Sequence, residues 1–552
     1  MKRALAVMLM VAAMASVAQA SLITNGGNDD ALVDSEIPGW TEVVGSTWTQ
    51  RSASPSPQAG GYYFNPGAGA SHELAQTVDV SAYSAPIDAG LQRFDFSGYV
   101  SGWKDPGDTS RIVLEFEDAS AVVLGSWDSG AIYNPYDEDP TWQQLTHSQF
   151  APAGTRQIQI RLIAVRNAGT NNDGYFDSLE LDAIQTPIAA RVDVEGRTSN
   201  PPSSVTILNQ TTGANLWVSG DNRGDFALGY PGSTTPILQS NGVVIANCNE
   251  LVTSGSRGSV AVTGELTGNV PGNSKNGGMW IASFTSDGGG EANYDFSFGW
   301  FPYALGWIGG HINAAGTGFE GSGNLPAGST VSVASSTDFS GEFLLTLDGI
   351  DPRTDGMLFV VDGRNDNNIA VAGVPDDDTI EGGDSWHIAA FDESDNFDTY
   401  EQGHVSFLYV PYSTEGLCGG WIGTNGTKKA SRGQFSVNHT AAGKYELVIP
   451  DDAGGRYDDS DGILLLTVAR LLEIGEPGVD GNPGGLAGVE DNAIAWAYDA
   501  TADDGDGAFV LQSHDLASWT FAQDTEFVFA FVLYDGILDV PGPPQGTMIA
   551  IY

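Results

Sequence analysis

The chain has 552 residues, which is long for one domain and suits three or four, since domains usually span about 100–200 residues. Its 70 acidic and 22 basic residues give a formal net charge of −48, which argues against binding to nucleic acids or anionic membrane surfaces. Hydrophobic residues make up 41% of the chain and 72 residues are glycine, which indicates a folded, turn-rich, all-β protein.

The first twenty residues have the pattern of a secretory signal peptide. Two basic residues precede an apolar run over residues 4–17, and a small-x-small cleavage site follows at residues 18–20. The apolar run is shorter than the about 20 residues that a membrane-spanning helix needs. We therefore predict a signal peptide over 1–20 and a mature protein that begins at Ser21, is secreted or held at the cell surface, and is not embedded in a membrane.

Residues 21–185 have the rhythm of a β-sandwich. Short alternating runs, such as those at 77–80, 112–116 and 157–162, are separated by clusters of Gly, Pro, Asn and Asp. Alternation at period two predicts strands with one buried and one exposed face.

Several stretches of this segment resemble secreted galactose-binding-like jelly rolls, the sandwich found in many carbohydrate-binding modules. They are Asn25-Gly26-Gly27, Pro38-Gly39-Trp40, Gly61-Tyr62-Tyr63-Phe64, residues 74–80 and Asn172-Asp173-Gly174-Tyr175-Phe176-Asp177. The resemblance covers about 160 residues and implies a β-sandwich with a glycan or cell-surface polysaccharide as its partner.

The resemblance also implies a structural Ca²⁺ between the first-strand loop and the last strand. The matching candidates in this chain are Asn25, Asp29, Asp30 and Asp177. The family pattern often has a Glu after the glycine at position 27, and this chain has Asn28 there.

Aromatic residues supply the candidates for sugar contact. Sugar rings stack on aromatic side chains, and residues 134–140 read as a loop. We therefore predict Trp127, Tyr133 and Tyr136 as ligand-binding residues, with core or sandwich-end packing as the alternative for any one ring.

The remainder of the chain repeats itself three times. The aromatic stretches 298–303, 407–412 and 529–534 match at intervals of 109 and 122 residues. Each follows an Asn-Gly or Asp-Gly turn with an apolar strand, at 241–245, 355–359 and 461–465. We expect the glycine to take a positive φ and the aromatic strand to bury one face at period two. The pattern predicts tandem all-β domains over 186–305, 306–418 and 419–552.

Motifs for catalysis are largely missing. The chain has no Gly-x-Ser-x-Gly and no phosphate-binding loop, and its seven His lack the spacing of metal ligands. Paired carboxylates for glycoside hydrolysis leave no fixed spacing in a sequence, so they stay possible. Its two cysteines, Cys248 and Cys418, exclude a disulfide-rich scaffold and leave open whether they pair.

Two functions therefore remain. The first is an exported, non-catalytic glycan-binding or adhesion protein, with the jelly roll as binding module and the repeats as stalk or matrix. The alternative is an extracellular polysaccharide-active hydrolase that the jelly roll targets to its substrate. Tandem copies favour the first, because spacing and avidity are served by repetition, whereas an active site needs one copy to differ.

Overall fold

The computed structural model describes residues 21–88, 90–102, 107–133, 142–184, 187–214, 216–229, 237, 239–251, 258–265, 278–285, 291–319, 323–333, 342–363, 369–375, 383–391, 400–401, 403–414, 416–451, 453–472, 488–489, 492–515 and 522–535. The predicted signal peptide at 1–20 and Tyr136 lie outside these residues. The all-β prediction is confirmed, because strands dominate and the α-helix Ser84–Asp88 is a single short turn. None of the described helices is long and apolar enough to cross a membrane.

The chain divides into two compact units. Unit 1 comprises Met1–Ser81, Phe94–Ser148 and Arg156–Ala183, and unit 2 comprises Ala82–Arg93, Gln149–Thr155 and Ile184–Tyr552. The strands that build unit 1 are β1 (Thr41–Val44), β2 (Thr49–Arg51), β3 (Tyr63–Asn65), β4 (Gly67–Ala68), β5 (Ser71–Asp79), β6 (Arg93–Ser101), β7 (Thr109–Glu117), β8 (Val123–Asp128), β9 (Ile132–Tyr133), β10 (Gln143–Phe150), β11 (Gln157–Val165), β12 (Asn171–Asn172) and β13 (Tyr175–Ile184).

Unit 1 is a β-sandwich. One sheet has the order β1-β5-β11-β7-β8, with β9 also paired to β7, and the other has the order β10-β6-β13-β3-β2. Alternation explains the layering: in β11, Ile158, Ile160 and Leu162 are fully buried, while the intervening Gln157, Gln159 and Arg161 face outward. The predicted strand rhythm of residues 21–185 is therefore observed.

Unit 2 contains three sets of strands. The first is β14 (Ile188–Glu195), β15 (Ser204–Gln210), β16 (Trp217–Asn222), β17 (Asp225–Gly229), β18 (Gly242–Cys248), β19 (Gly258–Glu265), β20 (Met279–Thr285) and β21 (Phe296–Pro302). The second is β22 (Ile308–Ile312), β23 (Thr330–Val333), β24 (Phe343–Thr346), β25 (Gly356–Asp362), β26 (Ile369–Gly373), β27 (Trp386–Phe391), β28 (Tyr400–Glu401) and β29 (Val405–Pro411). The third is β30 (Cys418–Ile422), β31 (Lys428–Arg432), β32 (Ser436–Ala441), β33 (Lys444–Val448), β34 (Gly462–Val468), β35 (Leu471–Leu472), β36 (Gly488–Val489), β37 (Asn492–Asp499), β38 (Ala508–Asp515) and β39 (Phe527–Leu533).

The three sets share a strand order, except that the first sheet of the second set has three described strands where the others have four. The first set forms the sheets β15-β14-β21-β18 and β16-β17-β20-β19. The third set forms the sheets β31-β30-β39-β34 and β32-β33-β38-β37, the first of which ends in the equivalent apolar strand. The second forms β22-β29-β25 and β23-β24-β27-β26. The domain boundaries at 185, 305 and 418 stay predictions, although each sheet draws its strands from one set.

Each repeated motif is one strand of an antiparallel pair. The apolar strands β18, β25 and β34 pair with the aromatic strands β21, β29 and β39, respectively. The expectation of a positive φ is wrong, because the backbone of Gly242, Gly356 and Gly462 does not have a positive φ. A Cβ at any of them would lie within 2.6 Å of a carbonyl oxygen of the partner strand, so close backbone approach requires glycine.

The expectation that the aromatic strand buries one face is also wrong. All seven residues of β21 are buried, and so are six of the seven residues in each of the other aromatic strands, β29 and β39. The partner strands β25 and β34 are buried at all seven positions. Strands that are covered on both faces need a second layer on each side. Here the strands β18, β25 and β34 also pack against one another, and one hydrophobic core contains residues from all three sets.

Hydrogen bonds join every pair of repeats. They run from Gln239 Nε2 to Gly363 O (2.7 Å), from Val360 N to Thr467 Oγ1 (3.2 Å) and from Asn247 Nδ2 to Leu466 O (2.8 Å). The three repeats thus close on one another as one compact body, which differs from a stalk of separate domains. Cys248 and Cys418 are both free thiols.

The side chain of Asn247 offers a direct test of this closure. Its amide also accepts from Leu466 N at 3.1 Å, so Asn247→Ala leaves both backbone groups of Leu466 without this partner. We expect unit 2 to lose about 1–3 kcal/mol of unfolding free energy, measured by chemical denaturation of the mature chain. The exposed Asn438 is the control, and Asn438→Ala should change stability by less than about 0.5 kcal/mol. Equal effects of the two variants would contradict a role for Asn247 in holding the repeats together.

Candidate functional site

The outer face of the first sheet of unit 1 carries an array of paired charges, which we call the polar face. It comprises Glu73, Arg111, Glu115, Asp128, Gln157 and Arg161. Arg161 lies on the central strand β11, opposite Ala75 on one side and Val113 on the other. These neighbours are small enough for the guanidinium to lie across the sheet.

Carboxylates on both neighbouring strands fix the guanidinium of Arg161. Its Nε donates to Glu73 Oε1 at 2.7 Å, and its Nη1 donates to Glu115 Oε1 at 3.1 Å. The hydrogen bond to Glu73 is the main cause that raises the pKa of Arg161. Arg161 is held at two points, so its conformation is set before any ligand arrives.

A second pair extends the polar face towards the sheet edge. Arg111 donates to both carboxylate oxygens of Asp128, with Nε to Oδ1 at 2.7 Å. This bidentate bond holds the pKa of Asp128 below its usual value. Gln157 Nε2 donates to Glu117 Oε2 at 2.7 Å and continues the row of donors and acceptors.

The polar face can offer hydrogen bonds to a neutral polyol. Side-chain exposures are 42% for Arg111 and 29% for Arg161, so part of each guanidinium stays accessible. Each arginine already has a carboxylate partner, so the face has little unpaired positive charge for an anion. Fixed donors and acceptors in one plane suit the hydroxyl groups of a sugar chain.

The predicted ligand-binding aromatics are not brought together. Tyr133 lies opposite Thr109 on β7, whereas Trp127 lies opposite Leu114. Five residues along a strand correspond to about 17 Å, and an odd separation places the two rings on opposite faces. Tyr133 is therefore on the polar face and is 62% exposed. Tyr136 lies outside the described residues.

Trp127 packs on the inner side of the sandwich. Its ring stacks on His147 of β10 with 4.8 Å between centroids and an interplanar angle of 9°, and it also contacts Phe96. These contacts join the edge strands β8 and β10, which belong to different sheets. The alternative of sandwich-end packing thus describes Trp127.

Two of the predicted metal ligands converge beside Gly27. A Cβ placed on Gly27 would lie 3.0 Å from Asp29 Oδ2 and 3.8 Å from Asp177 Oδ1. Asp29 Oδ1 accepts from Gly61 N at 2.7 Å, and Asp177 Oδ2 accepts from Gln58 N at 2.7 Å. The two carboxylates therefore organise the loop over 58–62, and one oxygen of each lies close to Gly27.

The pKa of Asp177 is raised to about 6. Burial is the main cause, and the nearby negative charge of Asp29 raises the pKa further. Hydrogen bonds from three backbone amides oppose the rise without cancelling it. A cation between the two carboxylates would relieve both burial and repulsion.

The other predicted ligands have different surroundings. Asn25 Oδ1 accepts from Asp30 N at 3.1 Å, and the side chain of Asp30 is exposed. Asn28, which occupies the position where the resembling family often has Glu, is fully buried, and its Oδ1 has no hydrogen-bond partner among the residues that the structure describes. Within the described residues, no three His, Cys, Asp or Glu side chains form a metal-binding group, so a cation here would rely on two carboxylates, carbonyl oxygens and water.

Sequence reasoning missed the arginines of the polar face. Arg161 stands in the alternating run at 157–162, and the outward phase of that run is readable from its buried isoleucines. Lys and Arg are scarce in this chain, with 22 in 552 residues, so an arginine at the centre of a predicted strand could have been singled out as a candidate binding residue. Its two glutamate partners come from distant strands, and their pairing with Arg161 needs the register.

Comparisons with known protein families and with curated protein sequences find no match. Among solved structures, the module TmCBM61 in complex with β-1,4-galactotriose is 17% identical over 30% of this chain and 99% of its own, with a TM-score of 0.21. The CBM22-1 xylan-binding domain from Paenibacillus barcinonensis Xyn10C is 13% identical over 31% and 99%, with a TM-score of 0.21. The match to the enzymatically active domain of bacteriophage CBA120 tailspike protein 4 is 16% identical and spans 30% of this chain and 21% of that one, with a TM-score of 0.22. Because these TM-scores are low, we infer nothing about fold or function from them.

The raised pKa of Asp177 predicts a pH dependence in the presence of chelator. The folded-state pKa of about 6 exceeds the ordinary value of 3.8, so the folded protein holds an extra proton between these values. The stability of unit 1 therefore falls as the pH rises from about 4 to about 6, by about 3 kcal/mol. Urea denaturation at several pH values measures this slope.

The isosteric variant Asp177→Asn provides the control for the pH experiment. It weakens the hydrogen bonds to the loop and lowers stability at every pH, but it removes the titration and should flatten the slope. A slope that persists in Asp177→Asn would assign the titration to another group.

Proposed function

We propose that unit 1 is a non-catalytic glycan-binding module of a secreted or cell-surface protein, and that a neutral polysaccharide binds along its polar face. The observation that carries this proposal is the fixed array of Arg111 and Arg161 with their carboxylate partners on an exposed sheet. The array is rigid before binding, so little conformational entropy is lost when a ligand binds.

The charge of the protein supports a neutral ligand. The formal net charge of −48 repels acidic polysaccharides, and the arginines that could attract them are already paired. Sugar hydroxyls both donate and accept, as the polar face does. A chain of sugar residues also matches the length of the face across several strands.

Tyr133 supplies the stacking surface in this proposal. Tyr133 lies on β9, which pairs with β7, and it is on the same face of the sheet as Arg111 of β7. Its side chain is largely exposed. Tyr136 is proposed alongside it, three residues further along the chain. Trp127, buried on one side by His147, contributes by holding the edge strand in place beneath the face.

We also propose a structural Ca²⁺ in unit 1, held by Asp29 and Asp177, with Asn25 and Asp30 as the further candidate ligands. Support comes from the convergence of the two carboxylates beside Gly27 and from the raised pKa of Asp177. The cation would lock the loop over 58–62 against β13.

The proposed role of unit 2 is to present the binding module. A body whose repeats share one core is a rigid base, and it replaces the extended stalk that the repetition alone favours.

Glycan binding is tested by Tyr133→Ala. We expect affinity for the neutral polysaccharides that bind the wild type on a glycan array to fall at least about tenfold, because a stacking face is lost. Stability should change by less than about 0.5 kcal/mol, since the ring is exposed. Tyr62→Ala, which removes another exposed tyrosine, is the control and should leave binding unchanged.

Two outcomes would contradict the proposed function. One is the absence of binding to any neutral polysaccharide by the wild-type protein, with or without Ca²⁺. The other is the release of reducing ends from a polysaccharide that binds the protein, which would favour the hydrolase.

Calcium binding is tested by chelation. Removing Ca²⁺ should lower the melting temperature of unit 1, because a ligand present at a hundredfold excess over its Kd contributes about 2.7 kcal/mol. Asp177→Ala and Asp29→Asn should abolish this dependence. Asp34→Asn changes an exposed acid of the same loop and should retain it. Calorimetry measures all four proteins, and an unchanged melting curve of the wild type with chelator would contradict the site.

A further inference from the structure

The third repeat of unit 2 concentrates positive charge within an acidic chain. Residues 416–445 contain four Lys and Arg residues and no Asp or Glu, although the chain has 70 acidic residues. The formal charge of this segment is therefore +4 with His neutral, and the segment holds β30, β31, β32 and the start of β33. Charges further away than about 8 Å are largely screened at 0.15 M salt, so an anion close to this segment is attracted to it despite the net charge of the protein.

Three of the four cations lie on β31, and we call this strand, with Lys428, Lys429 and Arg432, the basic edge. β31 is the terminal strand of its sheet and pairs with β30 alone among the described strands. A terminal strand directs the N–H and C=O groups of alternate residues away from its sheet. Four of the five residues of β31 are exposed, so the basic edge is accessible to a partner.

The other two repeats lack such an edge in the part of the chain that the structure describes. The equivalent terminal strand of the first repeat, β15, has no charged residue, and two of its seven residues are exposed. The second repeat has no described strand at this place in its sheet. One copy thus differs from the others at a shared position, which indicates a function of that copy rather than a requirement of the repeated fold.

Aromatic rings hold two of the three cations in place. The ammonium group of Lys428 lies 3.7 Å from the ring centroid of Phe435 and donates to Phe435 O at 2.6 Å. The ammonium group of Lys429 lies 4.3 Å from the ring centroid of Trp421 and forms an ion pair with Glu526 at 2.6 Å. Both rings are buried, at 5% exposure for Trp421 and 7% for Phe435, so neither offers a sugar a stacking surface.

Arg432 is the cation that stays available for a partner. Its side chain is exposed and has no ion pair or hydrogen bond among the described residues. It lies opposite Gly419 of β30, which has no side chain to cover it. The charge of Lys428 is also uncompensated, because the carbonyl group that it contacts is neutral. The basic edge therefore presents two positive charges beside free backbone groups.

Lysine on a terminal strand often serves to prevent pairing with another chain. Charge of either sign gives that protection, because like charges repel in both cases. In a chain with 70 acidic residues, protection alone would not exclude Asp and Glu from all of residues 416–445. The sign of the charge therefore indicates attraction to a negative partner.

We propose that the basic edge binds an extended acidic segment of a polypeptide, which adds to the sheet as a further strand beside β31. In this mode of recognition, backbone hydrogen bonds supply affinity and side chains along the edge select the sequence. Acidic side chains of the added strand lie next to Lys428 and Arg432, since the side chains of paired strands are neighbours. A polypeptide fits better than an acidic polysaccharide, because the edge offers backbone groups and its aromatic rings are buried. The proposal does not depend on glycan binding by unit 1.

The test uses the mature chain and a capped, fluorescent peptide that alternates Glu and Val over about eight residues, within the usual length of a strand. Fluorescence anisotropy at about 0.15 M NaCl should show binding to the wild type. Arg432→Glu should lower the affinity at least about tenfold, because it places a like charge beside the peptide. Arg223→Glu, between β16 and β17, makes the same change in net charge and should leave the affinity unchanged. Absence of binding to the wild type, or equal effects of the two variants, would overturn the proposal.

A methylated peptide separates strand addition from simple attraction between charges. When every backbone N–H is methylated, the peptide keeps its charge and loses the donors that an added strand needs, so it should bind at least about tenfold more weakly. This comparison uses the wild-type protein, and it decides the matter if Arg432→Glu does not fold. Equal affinity of the two peptides would overturn strand addition. Binding of polygalacturonate without binding of the parent peptide would overturn the proposal in favour of an acidic polysaccharide.

Discussion

The arrangement of unit 2 depends on one antiparallel pair in each repeat, in which the apolar strand at the end of a sheet pairs with the aromatic strand. These pairs are β18 with β21, β25 with β29 and β34 with β39. Their strands are buried almost throughout, so neither face can meet solvent. The second sheet of the same repeat covers one face, and the neighbouring repeats must cover the other. The shared core and the hydrogen bonds between repeats both follow from this requirement.

The sequence contained this constraint in a readable form. Residues 462–468, Gly-Ile-Leu-Leu-Leu-Thr-Val, run without the alternation that marks a half-exposed strand. The length of the repeat, about 110 residues, favours separate tandem domains instead. The repetition itself was found by comparing the chain with itself, but the way copies associate depends on residues distant in sequence, as the bond from Asn247 to Leu466 illustrates.

Unit 1 was more accessible to sequence reasoning because its strands alternate cleanly. The inward phase of β11 could be predicted from its isoleucines, and the resemblance to jelly rolls drew attention to the carboxylates of Asp29 and Asp177, which both lie close to Gly27. The polar face was not found, because an ion pair such as Arg161 with Glu73 joins residues 88 positions apart. Nothing in the sequence distinguishes Tyr133 from Trp127 as candidate binding residues. In the structure, Tyr133 faces outward from the sheet and Trp127 faces the interior of the sandwich.

The three copies in unit 2 are joined in one chain, and this has a consequence for what the interface between them can contain. A trimer of identical subunits must place the same side chain at every symmetry-related position. Here one position holds Asn247, Val361 and Thr467 in turn, and the one asparagine bonds to the backbone of the third repeat. Covalent linkage thus lets each copy carry a different side chain against its particular neighbour, so the sequence itself specifies which repeat contacts which.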